Sequence, residues 1–200
     1  MIIVFLQRVS LLREHDLIRR GYNMIIQNVL IFDAVNPEPY IGDIAVSDGK
    51  LLKVGGTSEP ACGEEVIDGT GLRAYPGFVD AHSHMGLDSY GGATGGTGDY
   101  NEHGDFCCPQ MRGMDSYNPM DPSVHMGLEG GVTTVGTGPG SANVLGGTFF
   151  AVKLYGNSVD EAAIKTSVAM KCAFGENPKR NYKDKGNSTR MSTAFFWYSI

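Results

Sequence analysis

The feature that most constrains this chain is a pair of histidines, His82 and His84, placed at the end of an apolar run. Residues 78–81 (FVDA) follow the turn residues Pro76 and Gly77 and are typical of a strand. Side chains two positions apart in a strand lie on the same face, so the two imidazoles are predicted to lie side by side. In α/β folds, sites form at this end of a parallel strand, and imidazole nitrogens suit zinc and similar divalent metals.

The residues before this strand predict a separate small domain. Residues 24–33 are rich in strand formers, and residues 47–50 (SDGK) predict a tight hairpin turn. Further strands are predicted at 41–46, 51–54 and 65–68. We therefore predict a charged, helix-like N-terminal extension at 1–23, a small β-sandwich at 24–77, and a further domain at 78–200.

Downstream of the histidines, strand-like and helix-like segments alternate. After a long glycine-rich loop, a helix is predicted to begin at Asp121 and Pro122, an N-cap followed by proline at the first helical position. It should end at the glycines 130–131. Residues 132–135 and 148–154 read as strands, whereas 167–174 fit either a helix or a strand. The alternation predicts βα units and a parallel sheet, which is an α/β fold class.

These segments also resemble a known family. Residues 76–86 (PGFVDAHSHMG) resemble the first barrel strand of the amidohydrolase superfamily. Residues 66–72 resemble the end of its N-terminal sandwich, and residues 130–135 (GGVTTV) its second barrel strand. Residues 139–143 and 174–180 are similar to a branch related to imidazolonepropionase. The resemblance covers about residues 24–194, and it implies the N-terminal part of a (β/α)8 TIM barrel preceded by a small β-sandwich.

The resemblance implies a metal-dependent hydrolase that cleaves non-peptide C–N bonds, in amides or cyclic amides, with a metal-activated water. The cofactor would be a divalent metal, zinc above all, with His82 and His84 as its first two ligands. Glu176 is a further candidate ligand, although a surface or helix-capping glutamate explains it equally well. Lys171 could be a carboxylated bridging lysine, as in binuclear members, but a solvated lysine is the favoured explanation.

The second half of the family's pattern has no counterpart here. The later histidine ligands and the general-base aspartate of the last barrel strand are missing, since His103 and His125 follow no buried strand. A full barrel takes about 250 residues, so we expect a truncated N-terminal portion whose own activity is doubtful. No catalytic residue is assigned. Two alternatives stay open: a non-catalytic fragment with weak metal binding, and a carbohydrate deacetylase of the same superfamily.

Other polar residues have both structural and functional explanations. Asp80 could orient an imidazole of the pair, but a hydrogen-bonded aspartate within a buried strand is slightly favoured. Glu102, His103 and Asp105 lie on the long loop where a substrate would approach, and an exposed polar loop is the simpler interpretation.

Composition and charge limit the kinds of binding partner that we expect. The formal net charge is −6, and no basic patch with interleaved aromatic residues occurs, so a nucleic-acid partner is not expected. No run approaches the roughly 20 apolar residues of a membrane span, and no signal-peptide pattern appears. The four cysteines show no CxxC pair. We expect a cytoplasmic protein that binds a small-molecule substrate and does not contact a membrane; a homo-oligomer is compatible with the sequence.

Overall fold

The computed structural model describes residues 5–6, 23–61, 63–88 and 98–198 of the chain. Contacts along the backbone divide it into two units, Met1–Gly77 and Phe78–Ile200. None of the described helices is long and apolar enough to span a membrane.

The first unit is a mixed sheet. Its described strands are β1 (Phe5–Leu6), β2 (Met24–Ile31), β3 (Tyr40–Ser47), β4 (Lys50–Val54), β5 (Glu65–Asp68) and β6 (Arg73–Tyr75). β3 runs antiparallel to β2 and β4, while β5 and β6 lie parallel to β2 along its other edge, one beside each half. The strands predicted within 24–68 are confirmed. Their arrangement as a β-sandwich stays a prediction.

The N-terminal extension differs from its predicted helix where it is described. Phe5–Leu6 is a strand that pairs antiparallel with β6. The other predicted helical residues, up to residue 22, lie outside the described residues.

A bulge in β2 shapes the core of this unit. Asn28 has a φ of 58°, in the left-handed region that asparagine tolerates better than most residues. The register with β3 shifts there, so that Ile26 and Val29, three positions apart, both join the buried cluster. The buried carboxylate of Asp43 holds the bulge, because its oxygens accept hydrogen bonds from the backbone N–H groups of Asn28 (2.9 Å) and Ser58 (2.6 Å).

The second unit contains a sheet and short helices. The strands are β7 (Phe78–Ser83), β8 (Val132–Thr137), β9 (Leu145–Lys153) and β10 (Ala163–Cys172), in the order β10-β9-β8-β7. The helices are α1 (Pro122–Glu129), α2 (Val159–Ala162), α3 (Glu176–Asn181) and α4 (Arg190–Tyr198), with 3-10 turns at Gly113–Ser116 and Lys183–Lys185. The Asp121 carboxylate caps α1 by accepting from the Ser123 N–H, as the sequence predicts.

The prediction of a parallel sheet is correct for one pair of strands and wrong for the others. β7 and β8 are parallel, and the helix α1 lies on the connection between them. β8 and β9 are antiparallel, as are β9 and β10. The reason is the length of the connections: a parallel neighbour needs a long crossover, whereas short loops return the chain antiparallel. The ambiguous segment at 167–174 belongs largely to strand β10.

The prediction that the histidine strand is buried is wrong. Val135, Phe150 and Val152 on the inner strands β8 and β9 are fully buried, but Val79 on β7 is 70% exposed. Among the described residues, β7 pairs only with β8 and is therefore an edge strand. Its sequence looks buried because it is apolar, but burial also requires neighbours on both sides.

Candidate metal centre

Strand β7 places His82 and His84 together at its C-terminal end. The centroids of the two rings are 5.6 Å apart, and the rings stand edge to face. Both rings also contact the ring of Phe149 on β9, with centroid distances of 5.2 Å from His82 and 6.1 Å from His84. The two-residue spacing in the sequence thus produces two imidazoles on one face of the sheet, against a shared aromatic wall.

The turn after the histidines is tightly fitted to its surroundings. Gly86 has a φ of 79°, and a Cβ atom there would lie 2.2 Å from the ring carbon Cε2 of Tyr117. Any other residue would therefore face both an unfavourable backbone conformation and a clash with a buried ring. The turn can approach Tyr117 only because residue 86 is glycine.

His84 is the more enclosed of the two histidines. Its Nδ1 atom lies 2.7 Å from the carbonyl oxygen of Gly138. Burial lowers the pKa of His84 below its usual value, and the nearby charges of Lys171 and His82 lower it further, although the bond to Gly138 acts in the opposite direction. The neutral imidazole that a metal requires is thus favoured at His84 near pH 7.

Lys171, on β10, approaches the same aromatic wall. Its Nζ atom lies 5.8 Å from the centroid of the Phe149 ring, and burial lowers the pKa of its ammonium group. The sequence favours a solvated lysine here, but the structure brings its charge within range of His84. A pattern confined to one strand could not show this, because the approach depends on how β9 pairs with β10.

Glu176 is placed differently. It is the first residue of α3, it is exposed, and its carboxylate pairs with Lys179 (2.7 Å) and Arg190 (3.7 Å). The hydrogen bond from Lys179, with the charges of Lys179 and Arg190, lowers the pKa of Glu176. Within the described ranges, no three His, Cys, Asp or Glu side chains form a group that could hold a metal. The described structure therefore brings together His82 and His84 but does not add Glu176 to them.

Each of the remaining polar candidates takes part in a hydrogen bond within the described structure. The Asp80 carboxylate accepts from the backbone N–H of His82 (3.1 Å). Glu102 and Asp105 accept from backbone N–H groups two residues further on, which stabilises turns in the loop. The carbonyl of His103 accepts from Lys185. These contacts give the carboxylates of Asp80, Glu102 and Asp105 a structural role, whereas the bond at His103 involves only its backbone.

Three residues that the sequence did not single out contribute to the site. Phe149 forms its wall, Gly138 supplies the carbonyl at His84, and Tyr100 places its ring 5.3 Å from that of His84. The sequence did offer a signal for Gly138, since a glycine at a strand often marks a site where another part of the chain approaches the backbone closely. No local pattern could have linked Tyr100 or Phe149 to the histidine strand.

The donor set fits a divalent metal in part. Two neighbouring imidazoles suit zinc and related ions, and the lowered pKa of His84 favours the neutral form that binds a metal. They fill two of the four positions that zinc prefers. The arrangement can begin a metal site, and further ligands would have to complete it.

The chain is similar to several proteins of known name. Amidohydrolase tasK of Hapsidospora irregularis is 33% identical over 172 residues, covering 78% of this chain and 17% of that protein. An adenine deaminase of Archaeoglobus fulgidus is 38% identical over 66 residues, covering 33% of this chain and 11% of that protein. The crystal structure of an amidohydrolase from Thermotoga maritima MSB8 matches with a TM-score of 0.77 and 40% identity, covering 86% of this chain and 45% of that one.

These likenesses, together with the paired histidines on a strand, define the class of protein. The chain belongs to the amidohydrolase superfamily and corresponds to its N-terminal region. It spans less than half the length of the relatives described above. No protein-family model matches it.

Proposed function

We propose that this chain carries the first part of a metal-dependent hydrolase that cleaves non-peptide C–N bonds in small molecules, as amides or cyclic amides. The observation that carries the proposal is the contact between His82 and His84 at the end of β7. The relatives support it, because the names amidohydrolase and adenine deaminase both denote hydrolysis of a C–N bond. The cofactor would be a divalent metal, with zinc the expected ion. We also propose that the chain belongs to a (β/α)8 barrel preceded by a β-sandwich.

His82 and His84 would hold the ion through ring nitrogens. When bound, such an ion would supply hydroxide near neutral pH and polarise the scissile carbonyl. The ring of Phe149 lies against both histidines and would limit the access of water from that side. Tyr100 covers His84 from the loop and is placed to meet a substrate that approaches the pair.

Glu176 and Lys171 are the two candidates for a third ligand. Glu176 would have to leave its ion pairs with Lys179 and Arg190. Lys171 already lies against Phe149, and its lowered pKa makes the neutral amine more accessible. A neutral lysine amine can react with carbon dioxide to give a carbamate with two oxygen donors, and a proton is released. Because Lys171 lies near the histidine pair and Glu176 is held in ion pairs, we favour Lys171 as the third ligand.

The chain on its own is proposed to bind metal weakly and to lack turnover. Two donors leave half of the preferred zinc coordination unfilled, and the general-base aspartate of the last barrel strand, which the family resemblance implies, has no counterpart in this sequence. The non-catalytic alternative rests on this same observation. The carbohydrate deacetylase alternative shares the histidine motif and has no separate support.

Calorimetric titration of zinc into the 200-residue chain tests the proposal. We expect weak binding that is lost in His82→Ala and in His84→Ala and is retained in His125→Ala, a control histidine exposed on α1. With bicarbonate present, Lys171→Gln should weaken binding more than Glu176→Gln. Equal binding by the two histidine variants and the control would contradict the proposed site. A parallel assay with cyclic amides and N-acyl substrates should show no turnover.

A further inference from the structure

The backbone carbonyl of Gly138 determines which nitrogen of His84 carries its proton. A carbonyl oxygen only accepts hydrogen bonds, and it lies 2.7 Å from Nδ1 of His84. In the neutral imidazole, Nδ1 must therefore hold the hydrogen and donate it to Gly138. The lone pair is left on Nε2, although a free histidine in water prefers the opposite tautomer.

This contact depends on the absence of a side chain at residue 138. A Cβ atom there would lie 2.5 Å from Cδ2, 2.6 Å from Cγ and 2.8 Å from Cα of Phe149. Real Cβ contacts are essentially never this short, and the Cα of Phe149 belongs to strand β9, so a change of rotamer alone could not relieve the clash. An alanine would push apart the carbonyl that holds His84 and the ring that contacts both histidines.

A second bond fastens the same two segments together. The buried hydroxyl of Thr137 donates to the carbonyl of Met85 at 2.9 Å. Thr137 and Gly138 are adjacent at the end of β8, and His84 and Met85 are adjacent at the end of β7. The two bonds join neighbouring residues on both segments, so that the position of the Gly138 carbonyl relative to His84 is fixed at two points.

We propose that Gly138 is a positioning residue of the metal centre: its carbonyl holds His84 in the Nδ1–H tautomer, so that Nε2 is the atom that binds the metal. The part of this inference that concerns metal binding rests on the proposed function. The tautomer itself can be measured without any metal. Hydrogen bonds from the second ring nitrogen commonly orient metal-binding histidines in this way, and here a backbone carbonyl would do so.

The test is nitrogen NMR of the metal-free chain labelled with 15N-histidine, with His84 assigned by comparison with His84→Gln. We expect a protonated Nδ1 and an unprotonated Nε2 for His84 at a pH where it is neutral. Gly138→Ala should shift His84 toward the Nε2–H tautomer and weaken zinc binding by about 10- to 100-fold. An Nε2–H tautomer of His84 in the unaltered chain would overturn the inference even if Gly138→Ala fails to fold.

Two further variants separate positioning from general loosening. Gly42→Ala is the control, because its Cβ would lie 2.8 Å from the Cα of Gly55 and crowds the backbone within the first unit. It should retain the Nδ1–H tautomer of His84, and a loss of that tautomer in this control would overturn the inference. Thr137→Val removes only the bond to Met85, so it should shift the tautomer of His84 less than Gly138→Ala does. Correct tautomers without zinc binding would instead refute the proposed function and leave the positioning contact intact.

Discussion

The inner and outer strands of each sheet differ in how completely they are buried. In the first unit, Val29 on β2 and Ile44 on β3 are buried, whereas β4 and β5 are largely exposed. In the second unit, the inner strands β8 and β9 are buried, whereas the outer strands β7 and β10 are largely exposed. The paired histidines lie on an exposed strand. The candidate site is therefore built on an exposed edge of the sheet and not on its buried centre.

The largest expected effect lies in the buried centre of the second sheet. Phe150→Ala should destabilise the chain by about 3–5 kcal/mol, because the side chain is fully buried and its removal leaves a cavity. Val79→Ala, on the edge strand β7, should cost less than about 0.5 kcal/mol, as is usual for exposed positions. Urea denaturation of both variants measures the difference. Comparable losses would show that β7 is as well buried as the centre of the sheet.

The bulge in the first sheet should show the next largest effect. Asp43→Asn replaces one of the two carboxylate oxygens that accept backbone N–H groups with an NH2 group, which cannot accept. An unsatisfied buried donor costs about 1–3 kcal/mol. Asp48→Asn makes the same change in charge at an exposed hairpin turn and should be close to neutral. If the two variants have the same urea midpoint, the Asp43 carboxylate does not hold the bulge.

Two buried tyrosines in the second unit should respond in opposite directions to the loss of a hydroxyl. No described residue is a hydrogen-bond partner of the Tyr117 hydroxyl, whereas that of Tyr182 donates to the Glu102 carbonyl and accepts from Asn143 (2.8 Å). Tyr117→Phe should therefore stabilise the chain by about 1 kcal/mol, and Tyr182→Phe should destabilise it by a similar amount. Thermal melting at neutral pH measures both, and a stabilising Tyr182→Phe would contradict the contacts described here.

The same two tyrosines should also affect how the stability of the chain changes at alkaline pH. Burial raises the pKa of Tyr117 and of Tyr182 to about 12, from an ordinary value of 10.0. A raised pKa contributes stability that is complete below pH 10.0 and is lost as the pH rises toward 12. Tyr117→Phe should accordingly lose less stability than the unaltered chain over this range. An unchanged pH profile of the melting temperature would rule out a titrating Tyr117.

The smallest effect concerns acid pH and the first unit. The backbone N–H groups of Asn36 and Val35 donate to Asp33 and hold its pKa well below the usual 3.8. A lowered pKa contributes stability that is complete above the unfolded value and is lost as the pH falls below it. Asp33→Asn keeps an oxygen acceptor but cannot titrate, so its melting temperature should vary less below about pH 4. Glu38→Gln, exposed on the same loop, is the control and should follow the unaltered chain.

Local signals predicted much of the fold. The strand formers within 24–33, the turn at Asp48 and Gly49, and the cap at Asp121 each depend on a few consecutive residues, and the structure forms the expected element at each. The histidine pair was predictable for the same reason, because His82 lies in β7 and His84 directly follows its last residue.

Relations between strands were not predictable in this way. The antiparallel pairing of β9, the approach of Lys171 to Phe149, and the carbonyl of Gly138 beside His84 depend on loop lengths and register. The exposure of β7 depends on which strands lie beside it, and an apolar sequence carries no information on that. The roles proposed for Glu176 and the barrel stay predictions.

The connections of the second sheet also bear on the order in which it forms. β8, β9 and β10 follow one another through short antiparallel returns, so their contacts are close in sequence. The contact of β7 with β8 closes the much longer segment from His84 to Gly131. Closing a longer loop costs more chain entropy and slows folding. We therefore expect the three later strands to assemble first and β7 to dock last, so that His84 meets the Gly138 carbonyl only at the end of folding.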